Sequence, residues 1–263
     1  MLDAAGRVDQ KAFTSWVTQG DFQTDEYTMR GGAEEVWEPR FVYHGFRYVE
    51  VEGLPGTPTT TNIEARVIHT DFVSIGSLET SDPLVNSLHQ ATRWSYRANF
   101  QGIPTDCPQR EKNGWTADAH LGMDAGAFNF ENNAAYLKWI RDMVQAQNEK
   151  GELPGIVPTS GWGYGKWSGP SWELALFVVP WSLYTFSGDT RGLEIAWPAQ
   201  ERYLAHLKSI EKDGIVDVGL GDWVPWKTKT PVAITSTASY RWAAHLAAKT
   251  AKALMKPAKE KEY

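Results

Sequence analysis

Cysteine is almost absent. Cys107 is the only one in 263 residues, so neither an intrachain disulfide nor a multi-cysteine zinc site can form. Nothing near it in sequence supplies the histidine that a nucleophilic thiol needs. The six histidines, at 44, 69, 89, 120, 206 and 245, show no HExxH or other ligand spacing. No catalytic metal and no cofactor is expected. Long apolar runs are missing as well: none reaches membrane-spanning length, and Met1 to Arg7 contains no apolar signal core. The chain as given therefore reads as soluble, with no membrane partner and no export address. Positive charge is in short supply, with 26 Lys and Arg against 32 Asp and Glu, a formal balance of −6. The basic residues are scattered except from Lys252 to Lys261, which reads as a solvated tail, and a nucleic-acid surface is not expected.

Aromatic residues are plentiful: 13 Trp, 10 Tyr and 10 Phe, many beside Gly, Pro or Asp rather than within apolar runs. Most will serve the core. The remainder suit a sugar, which presents flat C–H faces to indole and hydroxyl rims to carboxylates and amides.

Two textures divide the chain near residue 80. Before it, Phe41-Val42-Tyr43, Phe46 to Val51 and Ala65 to His69 are short β-branched and aromatic runs. Turn clusters such as Gly53-Leu54-Pro55-Gly56 separate them, the pattern of antiparallel strands. After it the period is helical. Asp82-Pro83 is a helix start, with an N-cap side chain before proline at the first helical position. Leu84, Val85, Leu88, Ala91, Thr92 and Ser95 follow at helical spacing. Further helices are expected near 116–129, 131–148, 171–187, 190–211 and 236–256, with Pro198 kinking or breaking its helix. The fold class expected is mixed β + α: a partial antiparallel β-sandwich over 1–80, then about six helices over 81–263. Strands followed by helices suggest two domains. Long helices joined by functional-looking loops suit an α/α toroid, with an ordinary helical bundle as the alternative.

The segment richest in chemistry is Ile103 to His120, IPTDCPQREKNGWTADAH. Pro104, Pro108 and Gly114 make its first half a loop. Helical character resumes at Thr116, which is placed to cap the helix and to leave Asp118 in its first turn, where the dipole favours negative charge. Cleavage of an acetal needs a proton for the leaving oxygen and negative charge near an oxocarbenium-like centre. Glu111 suits the acid, and Asp106 and Asp118 the surrounding field. Arg110 would oppose that field if turned toward Glu111. The plainer alternative is a polar loop capping a helix, with Arg110 paired to a neighbouring acid.

The string Asp106 to Glu111, DCPQRE, followed by GWTADA from Gly114, resembles the signature of family 78 glycoside hydrolases, the α-L-rhamnosidases. Tyr43-His44-Gly45-Phe46, Asn99-Phe100, Trp172 with Val179-Pro180-Trp181, Ser187-Gly188-Asp189 and Gly221-Asp222-Trp223 agree in order, so the likeness runs from about residue 28 to 250. It implies an inverting hydrolysis of terminal α-L-rhamnosyl residues, with Glu111 as general acid. It places Asp106, Trp115 and Asp118 on the sugar, and, through shorter strings, Trp172, Asp222 and Trp223. Arg110 would orient Glu111 or bind a hydroxyl. The expected partner is a rhamnose-containing oligosaccharide or glycoside. Glu173-Leu174 departs from the Gly-Asp or Gly-Ser that the family normally shows after this tryptophan, and Trp172 reads equally well as packing.

The resemblance also implies a toroid of twelve helices, an (α/α)6 domain, and a general-base glutamate from a later segment. Glu201, Glu211 and Glu260 do not resemble it. The chain is accordingly expected to be truncated at both ends, to have little activity alone, and to expose apolar helix faces prone to self-association. The alternatives are a non-catalytic carbohydrate-binding remnant and another α/α-toroid glycosidase of the glucoamylase kind, against which DCPQRE speaks.

Overall fold

The computed structural model describes residues 1–11, 22–32, 34–159, 161–165 and 167–263, and these form two compact units. The first comprises Met1–Ile68 with Cys107–Lys112, the second His69–Asp106 with Asn113–Tyr263.

In the first unit none of the described residues up to Ile68 is buried. The runs expected as strands, 41–43, 46–51 and 65–69, form no ladder among the described residues, where Leu2 and Val8 make an isolated bridge. An extended run becomes a strand only when a second backbone pairs with it. Here Phe46, Val49, Val67 and Ile68 are exposed, and Phe41 takes a left-handed φ of 59°. The unit is tied instead by polar and ring contacts. Tyr27 stacks on Trp37 at 5.3 Å and donates to Glu35 at 2.5 Å, and Arg7 pairs with Glu50 and Glu52.

The second unit is helical. Its helices are α1 (Pro83–Ala98), α2 (Thr116–Asn129), α3 (Asn133–Ala146), α4 (Pro170–Glu173), α5 (Ala175–Ser187), α6 (Arg191–Ile210), α7 (Val232–Ala253) and α8 (Pro257–Glu262). Two short strands, β1 (Val73–Ser74) and β2 (Phe130–Glu131), pair antiparallel, Val73 opposite Glu131. The start of α1 is as the sequence predicts: Asp82 Oδ1 accepts from the Leu84 N–H at 2.8 Å, with Pro83 in the first turn. Gly188 ends α5 in the left-handed region at φ 73°, its N–H donating to the Tyr184 carbonyl.

The core begins with an aromatic cluster, Phe72 edge-on to Phe100 at 5.0 Å and Tyr96 stacked on Phe130 at 5.6 Å. Gly126 on α2 admits that Tyr96 ring, which lies 2.1 Å from where a Cβ would stand. On α3, Tyr136, Leu137, Trp139, Ile140 and Met143 are buried at one-face spacing. α5 packs against α2, α3, α6 and α7, which is why it is apolar nearly all round. By contrast α1 has no buried residue, and Leu84 and Leu88 are exposed on it.

Three expectations change. Residues 171–187 divide at Leu174 into α4 and α5. α6 continues through Pro198 without a break. The basic tail is folded: α7 reaches Ala253, Lys259 pairs with Glu201 at 3.1 Å, and Tyr263 meets the Trp197 ring at 6.3 Å. A long basic side chain can lay its stem on apolar surface, and charge count alone does not reveal the aromatic beneath.

Pro180 lies inside α5. Proline has no N–H, so it cannot donate to the carbonyl of Leu176 one turn earlier. Fully buried Gln200 on α6 makes that bond instead, its Nε2 donating to the Leu176 oxygen at 2.9 Å. Gln200→Leu is therefore expected to leave a buried carbonyl without a donor and cost about 2 kcal/mol in urea denaturation. An unchanged midpoint would refute this pairing.

Candidate active site

The DCPQRE loop begins and ends on one pair of residues. The Asp106 N–H donates to the Asn113 carbonyl at 3.0 Å, and the Asn113 N–H donates to Asp106 Oδ1 at 3.0 Å. Asp106, read from sequence as a sugar ligand, thus also closes the neck of a six-residue excursion. Within the excursion the Glu111 N–H donates to Cys107 Sγ at 3.1 Å, and Lys112 takes a left-handed φ of 56°.

The excursion packs inside the first unit on the very segment that the sequence singles out, Tyr43-His44-Gly45. Lys112 Nζ donates to the Tyr43 carbonyl at 2.6 Å and lies 4.8 Å from the Tyr43 ring centre. Burial pushes the Lys112 ammonium below its ordinary range, with the charges of Asp25 and Cys107 opposing the shift. Gly45 fits against Gln109, whose Cβ lies 2.7 Å from where a Cβ on residue 45 would stand. Arg110 Nη2 reaches Glu111 Oε1 at 3.3 Å. The undirected charge of the sequence is thereby directed: this cation faces the proposed acid, half-buried beside it.

The remaining predicted residues belong to the second unit, where backbone contacts join successive loops. The Val157 N–H donates to the Gly114 carbonyl at 2.8 Å, and the Thr116 N–H to the Gly155 carbonyl at 2.9 Å. A Cβ on Gly155 would lie 2.1 Å from the Trp167 carbonyl oxygen. The Leu220 N–H donates to the Ser168 carbonyl at 2.9 Å, and a Cβ on Gly169 would approach the Gly219 Cα to 2.6 Å. The loops holding Trp115, Trp172 and Asp222 are thus joined in sequence. Asp222 Oδ2 accepts from the Thr230 N–H at 2.9 Å.

Trp115, not Thr116, is the N-cap of α2, and the Thr116 hydroxyl donates outward to the Gly155 carbonyl at 3.0 Å. Loop pairing has outcompeted local capping. Asp118 lies in the first turn as expected, and is exposed. Trp223 is 58% exposed, whereas Trp172 is 8% exposed and packs. Beside Trp172, the Ser171 carbonyl accepts from His120 Nε2 at 3.1 Å, and burial holds that imidazole below its usual range.

Sequence reasoning misses two groups. Trp162 and Trp167 join Trp115 in a chain of ring contacts. Gly161 and Gly163, on either side of Trp162, were a usable signal. Glu173, met in sequence only as a departure, is a buried carboxyl that accepts from the Tyr203 hydroxyl and, at 3.1 Å, from the Gly169 N–H. Desolvation raises it to about 7 against these bonds and a Ser168 contact, which favour the anion, with the Glu152 charge adding to the rise. Its partner Tyr203 lies thirty positions away, beyond the reach of local pattern.

Residues 73–263 match the family model described as the bacterial alpha-L-rhamnosidase 6 hairpin glycosidase domain, and residues 1–69 that described as the bacterial alpha-L-rhamnosidase concanavalin-like domain. An alpha-L-rhamnosidase of Streptomyces avermitilis is 39% identical over 239 residues, covering 89% of this chain and 23% of that protein. The solved S. avermitilis alpha-L-rhamnosidase complexed with L-rhamnose superposes with a TM-score of 0.81 at 38% identity, over 88% of this chain and 22% of that one. The alpha-L-rhamnosidase from Dictyoglumus thermophilum gives 0.80 at 38% identity, over 86% and 26%. The chain spans about a quarter of the length of the curated relatives it matches.

Proposed function

The chain belongs to the bacterial α-L-rhamnosidase family of glycoside hydrolases, and from that membership we propose that it binds a terminal α-L-rhamnosyl unit and carries the general acid of an inverting hydrolysis. The observation that carries the reading is the closed excursion, in which the paired Asp106 and Asn113 backbones present Arg110 and Glu111 on a defined loop.

In the proposed reaction, Glu111 gives its proton to the glycosidic oxygen as the bond from that oxygen to the anomeric carbon breaks. Water adds from the opposite face, its proton passing to a carboxylate base, and free rhamnose leaves with inverted configuration. The family resemblance assigns that base to a glutamate of a later segment, which Glu201, Glu211 and Glu260 do not resemble. Asp106 and Asp118 receive sugar hydroxyls, and Trp115 supplies the flat wall. Arg110 orients the Glu111 carboxyl, while Asp106 and Asp118 supply the negative field that offsets its charge and keeps the proton in place. Asp222 and Trp223 complete the contacts, and Trp172 supports them from its buried position.

Titration calorimetry with L-rhamnose, beside turnover of an aryl α-L-rhamnoside, tests the reading. Binding is expected, and Glu111→Gln is expected to lower whatever turnover is seen by about 10²–10⁴-fold, the range for a positioned general acid. Equal turnover by both chains would remove Glu111 from the mechanism. Binding without turnover would favour the carbohydrate-binding remnant, and absence of both would overturn the proposal. Trp115→Ala is expected to weaken L-rhamnose binding roughly tenfold through loss of stacking; unchanged affinity in the same titration would take Trp115 off the sugar.

A further inference from the structure

The described part of the segment between Thr159 and Ser168 has no role in the reaction proposed above, yet it is an ordered construction. Gly161, Gly163 and Gly165 take left-handed φ values of 88°, 73° and 86°, each with open space where a Cβ would stand. They serve the backbone path rather than close packing. Three bonds hold its described residues: the Trp162 N–H donates to the Thr159 carbonyl at 2.9 Å, the Tyr164 hydroxyl to the Ala146 carbonyl at 2.6 Å, and the Ser168 hydroxyl to the Gly165 carbonyl at 2.8 Å.

What this loop presents is indole. Trp162 lies 5.9 Å from Trp115 with the rings inclined at 57°, and Trp167 meets Trp162 edge-on at 5.5 Å and 89°. All three are half-buried, and none belongs to the apolar core cluster of the unit. A large aromatic that neither fills a core nor lies open is suited to stacking on a ring ligand. A loop already fastened before the ligand arrives loses little freedom on binding.

We propose that Trp162 and Trp167 extend the Trp115 wall into a second subsite, which takes the flat ring joined to the rhamnosyl unit through its glycosidic atom. This rests on the rhamnoside reading. The ring is an aryl group or a second sugar, since both offer a face to indole, and the experiment separates them.

Calorimetry of the whole chain with three sulfur-linked α-L-rhamnosides, methyl, phenyl and glucosyl, leaves no bond for hydrolysis to complicate. The wild-type chain is expected to bind at least one ring-bearing ligand more tightly than the methyl one, and the stronger of the two names the ring. Trp162→Ala is expected to weaken that ligand roughly two- to tenfold, to leave the methyl ligand unchanged, and to be largely rescued by Trp162→Phe. Equal affinity for all three in the wild-type chain would overturn the subsite. So would an equal loss for all three in Trp162→Ala, the mark of a role confined to holding the loop. If the wild-type chain binds none, the rhamnoside reading itself falls.

Discussion

Gly114→Ala is expected to destabilise the second unit by about 3 kcal/mol, at the upper end of what overpacking costs, and to abolish measurable L-rhamnose binding. A Cβ at this position would stand 2.1 Å from the Val157 carbonyl oxygen and 2.9 Å from its carbon. Neither is the end of a flexible side chain. The same oxygen accepts from Trp139 Nε1 at 3.1 Å, and Trp139 is fully buried. Relief by moving the 155–157 backbone would therefore break a buried indole bond, the Val157 to Gly114 bond and both Thr116 bonds to Gly155. Gly122→Ala is the control. That glycine lies within α2 with nothing near its missing Cβ, so alanine there is expected to be neutral or stabilising by about 0.5–1 kcal/mol. Urea denaturation of the two variants beside wild type decides the matter; equal midpoints would mean that the 114–157 approach carries no load.

That contrast also marks what is legible in the sequence. Asp82-Pro83 announces a helix, because capping and proline chemistry act within three residues. The stripe on α3 is legible because burial on one side imposes its period directly. Pro198 does not break α6, since a long helix packed on neighbours tolerates a missing hydrogen bond that an isolated one would not. Thr116 misleads: a hydroxyl that would cap locally has a better acceptor in Gly155, 39 positions on. The acidic loop is recognisable as a string, but its closure by Asp106 and Asn113 and its seat on Tyr43 to Gly45 are tertiary. Gly114, Gly155 and Gly169 read as loop punctuation in sequence. In the folded unit they are the points where one backbone lies against another.

Glu173 should give the protein a pH-dependent stability that Glu173→Gln removes. Burial raises its carboxyl from 4.5 to about 7, against the hydrogen bonds that oppose the shift. Below about 4.5 folded and unfolded chains both hold this proton, so the pH dependence is flat there. Between 4.5 and 7 the folded chain keeps the proton and the unfolded chain releases it, so stability falls as pH rises; above 7 both are ionised and the loss is complete. The interval amounts to roughly 3 kcal/mol at about 1.4 kcal/mol for each pH unit. Glutamine resembles the protonated acid: its carbonyl can accept from the Gly169 N–H while its amide donates to the Tyr203 oxygen. The midpoint difference between wild type and Glu173→Gln in urea is therefore expected to shift against wild type across pH 5–7 and to level beyond. Tyr203→Phe supplies the independent check. It removes a hydrogen bond that favours the carboxylate, so the falling limb is expected to extend to higher pH. A wild-type minus Glu173→Gln difference that stays constant from pH 5 to 8 would place the proton elsewhere and sink the prediction.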